Sequence, residues 1–353
     1  MNIAALTDHV FTPSSRYRIR QYINPLREYG ISVKDFQRKY SSQLVSCGDK
    51  RIRHSPYLMY KATFQEMLNF FDTSSRVVKS NSFDAVWLSR QLIIGYPSME
   101  LIIKKPLIYD IDDAVFLTSY LASKQVEYSS NKADIIFAGN DYLADYLSKH
   151  NDSVYVIPTP VDIRLFRPKR DTLLTYECNT ITIGWSGTSS SYKYFLSLEG
   201  VLIKILTKYK NINLVFVSDR FPHELKKLSQ FVQFIKWSAQ DDASNIQKFD
   251  IGIMPIDDDE WCEGKGAYKM LLYASCGVPV IVSPVGENKR ILEHADIGIG
   301  PKSVDDWYSA IETLVFDKEA RFQLGANGRE YVVSNRNLYT WTKEISQLLL
   351  RRI

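Results

Sequence analysis

Two successive sets of short apolar runs, most of them separated by stretches long enough for a helix, constrain this chain more than any other feature. The first set is NIAAL, ISVKDF, DAVWL, PLIYD, DIIFA and SVYVIP; the second is TITIGW, INLVFVS, FVQFIKW, DIGIMP, VPVIVS and DIGIG. Such runs read as buried strands, and strands alternating with helical stretches read as parallel sheets with crossover helices. The expected fold class is therefore α/β, with two Rossmann-like, doubly wound parallel-sheet domains. A length of 353 residues is too great for one compact core and comfortable for two.

The two sets are divided by PTPVDIRLFRPKRDTLLTYECNT, where Pro158, Pro160 and Pro168 remove backbone donors and charge replaces apolar periodicity. This places a boundary near Arg167, giving a first domain over 1–166 and a second over 167–335. At the end of the chain Leu338, Trp341, Ile345, Leu348 and Leu349 recur at helical spacing. The segment 336–353 is therefore expected to pack back onto the first domain.

Composition excludes several classes. Cys47, Cys178, Cys262 and Cys276 form no C-x-x-C pair and no metal-like group with the five histidines, so neither a disulfide framework nor a zinc site is expected. The start, MNIAALTDHV, is not of signal type, and no apolar run approaches a spanning length, which predicts a cytoplasmic protein, at most associated with the inner face of the membrane. Net charge is only +4, so nucleic acid is not an expected partner. Basic residues nonetheless crowd the region from Arg16 to Lys61, including Lys50, Arg51 and Arg53. That cluster is either a solvated helix face or a patch for lipid head groups or a diphosphate-bearing substrate.

In doubly wound sheets ligands sit beyond the carboxyl ends of the strands, so those loops hold the candidates. After the first strand, Ser14 or Ser15 is placed to cap a helix whose opening turn brings Arg16, Tyr17 and Arg18; a plain capped surface helix is the alternative. After PLIYD come Asp110, Asp112 and Asp113, able to accept a proton, orient a hydroxyl or hold a cation, or simply to cap a helix. The second set opens on TITIGWSGTSSSYKYF, where Gly187, Thr188 and Ser189 form a plausible phosphate cradle and Lys193 adds charge. In FDIGIMPIDDDEWCEGKGAYKMLLYASCGVPV, Gly264 and Gly266 permit close backbone approach, Lys265 and Lys269 bring positive charge, and Glu263 is placed to accept from sugar hydroxyls. Trp237 either stacks on a base or belongs to the core.

At this last stretch the sequence resembles the family 4 retaining glycosyltransferases of the GT-B fold (glycosyl transferases group 1), and the resemblance covers both halves of the chain, implying an acceptor-side first domain and a nucleotide-sugar second domain that face across a cleft. YDIDDAVF, ADIIFAGNDYLADYL, VYVIPTPVDIRLFRP and IGWSGTSSSYKYF follow in the order of one branch of that family. The resemblance implies transfer of a sugar from a nucleotide-diphosphate sugar with retention and without a bound metal. It matches Glu263 approximately to the first glutamate of the family's Glu-x7-Glu pair, places Leu272 where the second should stand, and matches Lys269 and Tyr273 to a Lys-x-x-Glu-Tyr pattern. The implied acceptor is a glycan or lipid-linked glycan of surface polysaccharide synthesis. Asp110, Glu263 and Lys269 are the expected catalytic residues. Arg16, Tyr17, Arg18, Asp112 and Asp113 are expected on the acceptor, with the remaining candidates on the donor. Leu272 keeps a second reading open, that of a non-catalytic sugar-nucleotide or glycan-binding relative.

Overall fold

A computed structural model of the chain describes residues 1–10, 12–39, 56–92, 99–169 and 180–353, the side chains of 56–63 excepted. Cys47, Cys178, Lys50, Arg51, Arg53 and the side chain of Lys61 lie outside the described residues. Two compact units emerge, one formed by Met1–Thr159 with Tyr339–Ile353 and the other by Pro160–Leu338.

The first unit contains β1 (Asn2–Thr7), β2 (Ser32–Gln37), β3 (Ala85–Ser89), β4 (Leu107–Ile111), β5 (Ile135–Ala138) and β6 (Val154–Val156), all parallel in the order β2-β1-β3-β4-β5-β6. α1 (Ile23–Arg27), α2 (Pro56–Ser80), α3 (Tyr120–Lys132) and α4 (Asp141–Leu147) connect them. β3, β4 and β5 are buried along their whole length, as expected of strands covered on both faces. Starts are marked chemically: the Ser119 side chain accepts from Ala122 N–H ahead of α3, and Asn140 accepts from Leu143 N–H ahead of α4.

The second unit repeats the plan with β7 (Ile181–Ser186), β8 (Ile212–Ser218), β9 (Val232–Lys236), β10 (Ile251–Met254), β11 (Val280–Val282) and β12 (Gly298–Ile299), in the order β12-β11-β10-β7-β8-β9. Its helices are α5 (Glu199–Lys208), α6 (Asp242–Ile246), α7 (Glu260–Glu263), α8 (Tyr268–Ser275), α9 (Gly286–His294), α10 (Val304–Phe316) and α11 (Lys318–Asn335). On one face Trp185, Tyr192, Phe195 and Phe216 form an aromatic knot with centroids 4.8–5.9 Å apart. Each such side chain, fully buried, contributes about 1.5–3 kcal/mol. The opposite face buries Met270, Leu271, Leu272 and Tyr273 of α8.

The twelve apolar runs all become strands. The chain first passes between units at Thr159–Pro160, ahead of the expected Arg167. The reason is packing: Phe166 is buried, its carbonyl accepts from Ser275 and Arg329, and Val161 bridges Asn337. The final helix, α12 (Leu338–Arg352), belongs with the first unit from Tyr339 onward.

Candidate active site

In the first unit the loops after β1, β3 and β4 meet through ion pairs. Arg18 donates from Nε to Asp110 Oδ1 at 2.8 Å and from Nη1 to Thr159 Oγ1 at 3.2 Å, while Trp87 Nε1 donates to Asp110 Oδ2 at 3.1 Å. Asp110 and Arg18 are each only 2 % exposed. Burial pushes the Asp110 carboxyl up to about 6, outweighing the pull of Arg18. This corrects two expectations. With both oxygens engaged and its side chain buried, Asp110 is a positioning residue rather than a base on an incoming hydroxyl. Arg18 holds that carboxylate rather than an acceptor.

Asp112 and Asp113 are also taken up, by an arginine that the sequence reading missed. Arg90 Nε donates to Asp112 Oδ1 at 2.6 Å, and its Nη2 donates to Asp113 Oδ2. Arg90 follows β3 with φ of +54°, a left-handed conformation that costs a non-glycine residue about 1–2 kcal/mol. The two carboxylates and an N–H bond to Asp110 O at 2.8 Å hold it there. No sequence signal distinguishes this arginine from its neighbours. Arg16 and Tyr17 stay half-buried, with the Arg16 guanidinium 4.7 Å from the Tyr17 ring centre. The serine cap does not form: Ser14 makes no side-chain cap bond, and Ser15 Oγ accepts instead from Asp8 N–H at 2.9 Å.

In the second unit strand order reverses between β7 and β10, the crevice where doubly wound sheets bind ligands. There Gly187, just past β7, meets Lys269 of α8. A Cβ on Gly187 would stand 2.4 Å from Lys269 Cε and 2.7 Å from Trp185 Cζ2. The glycine thus makes room for the lysine stem. Its own N–H is spent on Val217 O at 3.0 Å, so Gly187 contributes space rather than an anion-binding amide. Ser189 leaves the cradle too, because its N–H and hydroxyl bind Asp219 at 2.6 and 2.8 Å. The Thr188 N–H, between them, has no protein acceptor among the described residues.

The second wall is the turn from α7 into α8. Asp259 caps α7 through Cys262 N–H at 2.7 Å, and Glu263 closes that helix half-buried. Gly264 carries an ordinary right-handed φ of −72°; among the described residues the turn's positive φ, +55°, falls on Ala267. Lys193 lies 4.8 Å from the Tyr194 ring and Lys265 5.3 Å from the Trp261 ring, so each cation rests on an aromatic face at the rim. Gly286, with φ of +53°, starts α9 directly against this turn, and a Cβ there would come within 2.9 Å of Glu263 O.

Tyr273 was expected on the donor, but it is fully buried. Its ring fills the space left by Gly252, and its hydroxyl accepts from Ser186 N–H at 2.8 Å, setting the backbone that leads into Gly187. Leu272 lies in the same apolar layer. Trp237 is half-buried, packed on that layer, and donates its N–H to Ser218 O at 2.8 Å. A further buried cluster escaped the sequence reading: Glu287 of α9 accepts from Arg290 and from Arg336 at 2.6 and 2.5 Å. Among the described residues no three His, Cys, Asp or Glu side chains are arranged to hold a metal ion.

Two parallel six-stranded units of this topology define the GT-B glycosyltransferase fold, and solved structures agree over nearly the whole chain. HepE of Anabaena, crystallised with UDP and glucose, is 14 % identical with a TM-score of 0.70, covering 99 % of this chain and 100 % of its own. A glycosyltransferase of Rickettsia africae is 14 % identical (TM-score 0.69, coverage 100 % and 99 %). Sucrose-phosphate synthase of Thermosynechococcus elongatus is 16 % identical (TM-score 0.67, coverage 99 % and 99 %). No curated protein sequence matches significantly. Residues 181–317, the greater part of the second unit, match the family described as glycosyl transferases group 1. The second unit is thus similar in sequence to that family, and the chain shares the fold of these solved glycosyltransferases.

Proposed function

We propose that the protein transfers a sugar, with retention of configuration, from a nucleoside-diphosphate sugar to a glycan or lipid-linked glycan acceptor in surface polysaccharide synthesis. The observation that carries the donor half is the seating of Lys269 on Gly187 at the strand-order switch of the second unit. HepE, similar in fold, was crystallised with UDP-glucose, which supports a donor of that chemistry.

Breaking the anomeric bond leaves charge on the departing diphosphate. In this reading the Thr188 amide and the Lys193, Lys265 and Lys269 cations meet that charge, and they do so without a metal. Glu263 holds sugar hydroxyls. The acceptor enters by way of the first unit, where Arg16 and Tyr17 are half-exposed and Arg90 sets the Asp112 and Asp113 carboxylates. We place the protein in the cytoplasm, at the inner face of the membrane where a lipid-linked acceptor would lie.

The test is release of nucleoside diphosphate from a panel of sugar nucleotides, with and without a chelator, in wild type and Lys269→Ala. Removal of one such donor costs roughly 100-fold in rate. An unchanged Lys269→Ala enzyme overturns the site, and abolition by chelator overturns the metal-free mechanism. A second reading, a sugar-nucleotide binder without turnover, is favoured by one observation. Leu272, 5 % exposed, puts an apolar side chain in the core where the family resemblance implies a glutamate on the nucleotide ribose. Tight nucleotide binding with no product from any donor would select it.

A further inference from the structure

α2 is built inside out. Among its described side chains the buried face consists of Asn69, Thr73, Arg76, Val77 and Ser80, four of them polar. Arg76 reaches Thr7 O and Phe36 O at 3.0 Å and Thr73 Oγ1 at 3.1 Å, so this polar face is anchored to the sheet. The outward face carries Phe64, Met67, Phe70, Phe71 and Val78, each 45–62 % exposed. Positions 64, 67, 71, 74 and 78 follow the three- and four-residue steps of one helical stripe. A helix covering a sheet ordinarily shows the reverse arrangement, and a contiguous exposed apolar patch marks an interaction surface.

The patch continues onto the neighbouring turn. Ser74 Oγ meets Met99 Sδ at 3.5 Å, Asn81 Nδ2 donates to Ile102 O at 3.0 Å, and Asn81 Oδ1 accepts from Lys104 N–H at 2.8 Å. This brings Leu101 and Ile102, both exposed, beside Val78. Lys79, Lys104 and Lys105 are exposed at this end, and none of them pairs with an acid among the described residues. Near them Glu100 is fully buried, and Asp72 is taken by Arg76 at 3.2 Å.

We propose that this face of α2, together with Leu101 and Ile102, docks on an anionic bilayer surface. Phenylalanines enter the acyl boundary while unpaired lysines meet lipid phosphates, the two components of interfacial binding. The inference moves the membrane contact away from the basic stretch beginning at Arg16, whose Arg18 and Arg20 are spent on Asp110 and Asp35. It rests on the lipid-linked acceptor reading for its purpose but not for its test.

The full-length protein is sedimented with vesicles of phosphatidylcholine alone and of phosphatidylcholine containing about 30 % phosphatidylglycerol. Wild type should partition onto the anionic vesicles. Phe70→Ser with Phe71→Ser, and separately Lys104→Glu with Lys105→Glu, should each lower partitioning roughly tenfold or more. Both double variants should keep the wild-type circular dichroism spectrum and UDP affinity. Absence of wild-type binding, or binding by either double variant equal to that of wild type, overturns the proposal. So does a wild-type dimer that Phe71→Glu converts to monomer, since a second copy would then cover the face. Vesicle binding in a protein that binds no member of the sugar-nucleotide panel and releases no nucleoside diphosphate from it would sink the donor reading and leave this one standing, so the two conclusions are separable.

Discussion

Asp110 shows how much of a residue's chemistry depends on what surrounds it. As a letter at the end of an apolar run it reads as a base; in the fold it is an anchored, buried partner of Arg18 and Trp87. Arg18→Met should cost about 3–5 kcal/mol, because a buried carboxylate loses its counter-charge. The pH dependence has a definite sign. The folded-state pKa of Asp110 lies above its ordinary value, so the favourable contribution of the protonated form is present at low pH and lost as pH rises through about 6. The variant's deficit should therefore be largest near pH 8 and shrink near pH 5, by urea denaturation at each pH. Tyr273→Phe probes a different role. It strands the buried Ser186 N–H, which costs about 1–3 kcal/mol of stability. A selective loss of donor affinity with unchanged stability would contradict the purely positioning role drawn from its burial.

Among the elements, the α7–α8 turn and the loop after β11 depend on each other. Gly286 is needed both for its positive φ and for the space beside Glu263 O. Gly286→Ala should lose about 1–2 kcal/mol from the backbone alone. It should also raise the KM for the sugar nucleotide by displacing Glu263, whereas a variant with normal KM would detach that loop from the site. Gly187→Ala makes a sharper case. Its Cβ would strike both the Lys269 stem and the Trp185 ring, so it should resemble Lys269→Ala in the product-release assay. Legibility differed between elements for a physical reason. Strands such as TITIGW and DIIFA are covered on both faces and announce themselves as apolar runs. The positive φ of the α7–α8 turn, by contrast, falls on Ala267, a residue type that gives no local sign of it.

On the scale of the whole molecule, the chain crosses between its units twice, at Thr159–Pro160 and Leu338–Tyr339, and the end of the chain returns to the first unit. Removal of residues 339–353 should accordingly lower the first unit's unfolding temperature and leave the second unit's fluorescence transition in place. A nucleotide that binds as proposed should, at 100 times its dissociation constant, stabilise the second unit by about 2.7 kcal/mol. Hydrogen exchange should then slow around Gly187–Lys193 and Glu263–Lys269 and remain unchanged in β1–β6; protection confined to the first unit would reverse the assignment of the donor.

Alternating apolar runs and helical stretches determined, from the sequence alone, that this chain makes two doubly wound α/β units, and so directed the search for candidate residues to the loops after their strands. That much follows from local physics, since burial of a strand on two faces leaves a mark in every residue. Which of the loop side chains face a ligand was decided only by tertiary structure. Arg18 and Arg90 claimed the acids, Asp219 claimed Ser189, and Gly187 opened room for Lys269. The outward turn of the phenylalanines on α2 belongs to the same category. A polar face can be buried when Arg76 finds carbonyls at the right distance, and those carbonyls come from Thr7 and Phe36, distant in sequence and adjacent only once the sheet has formed.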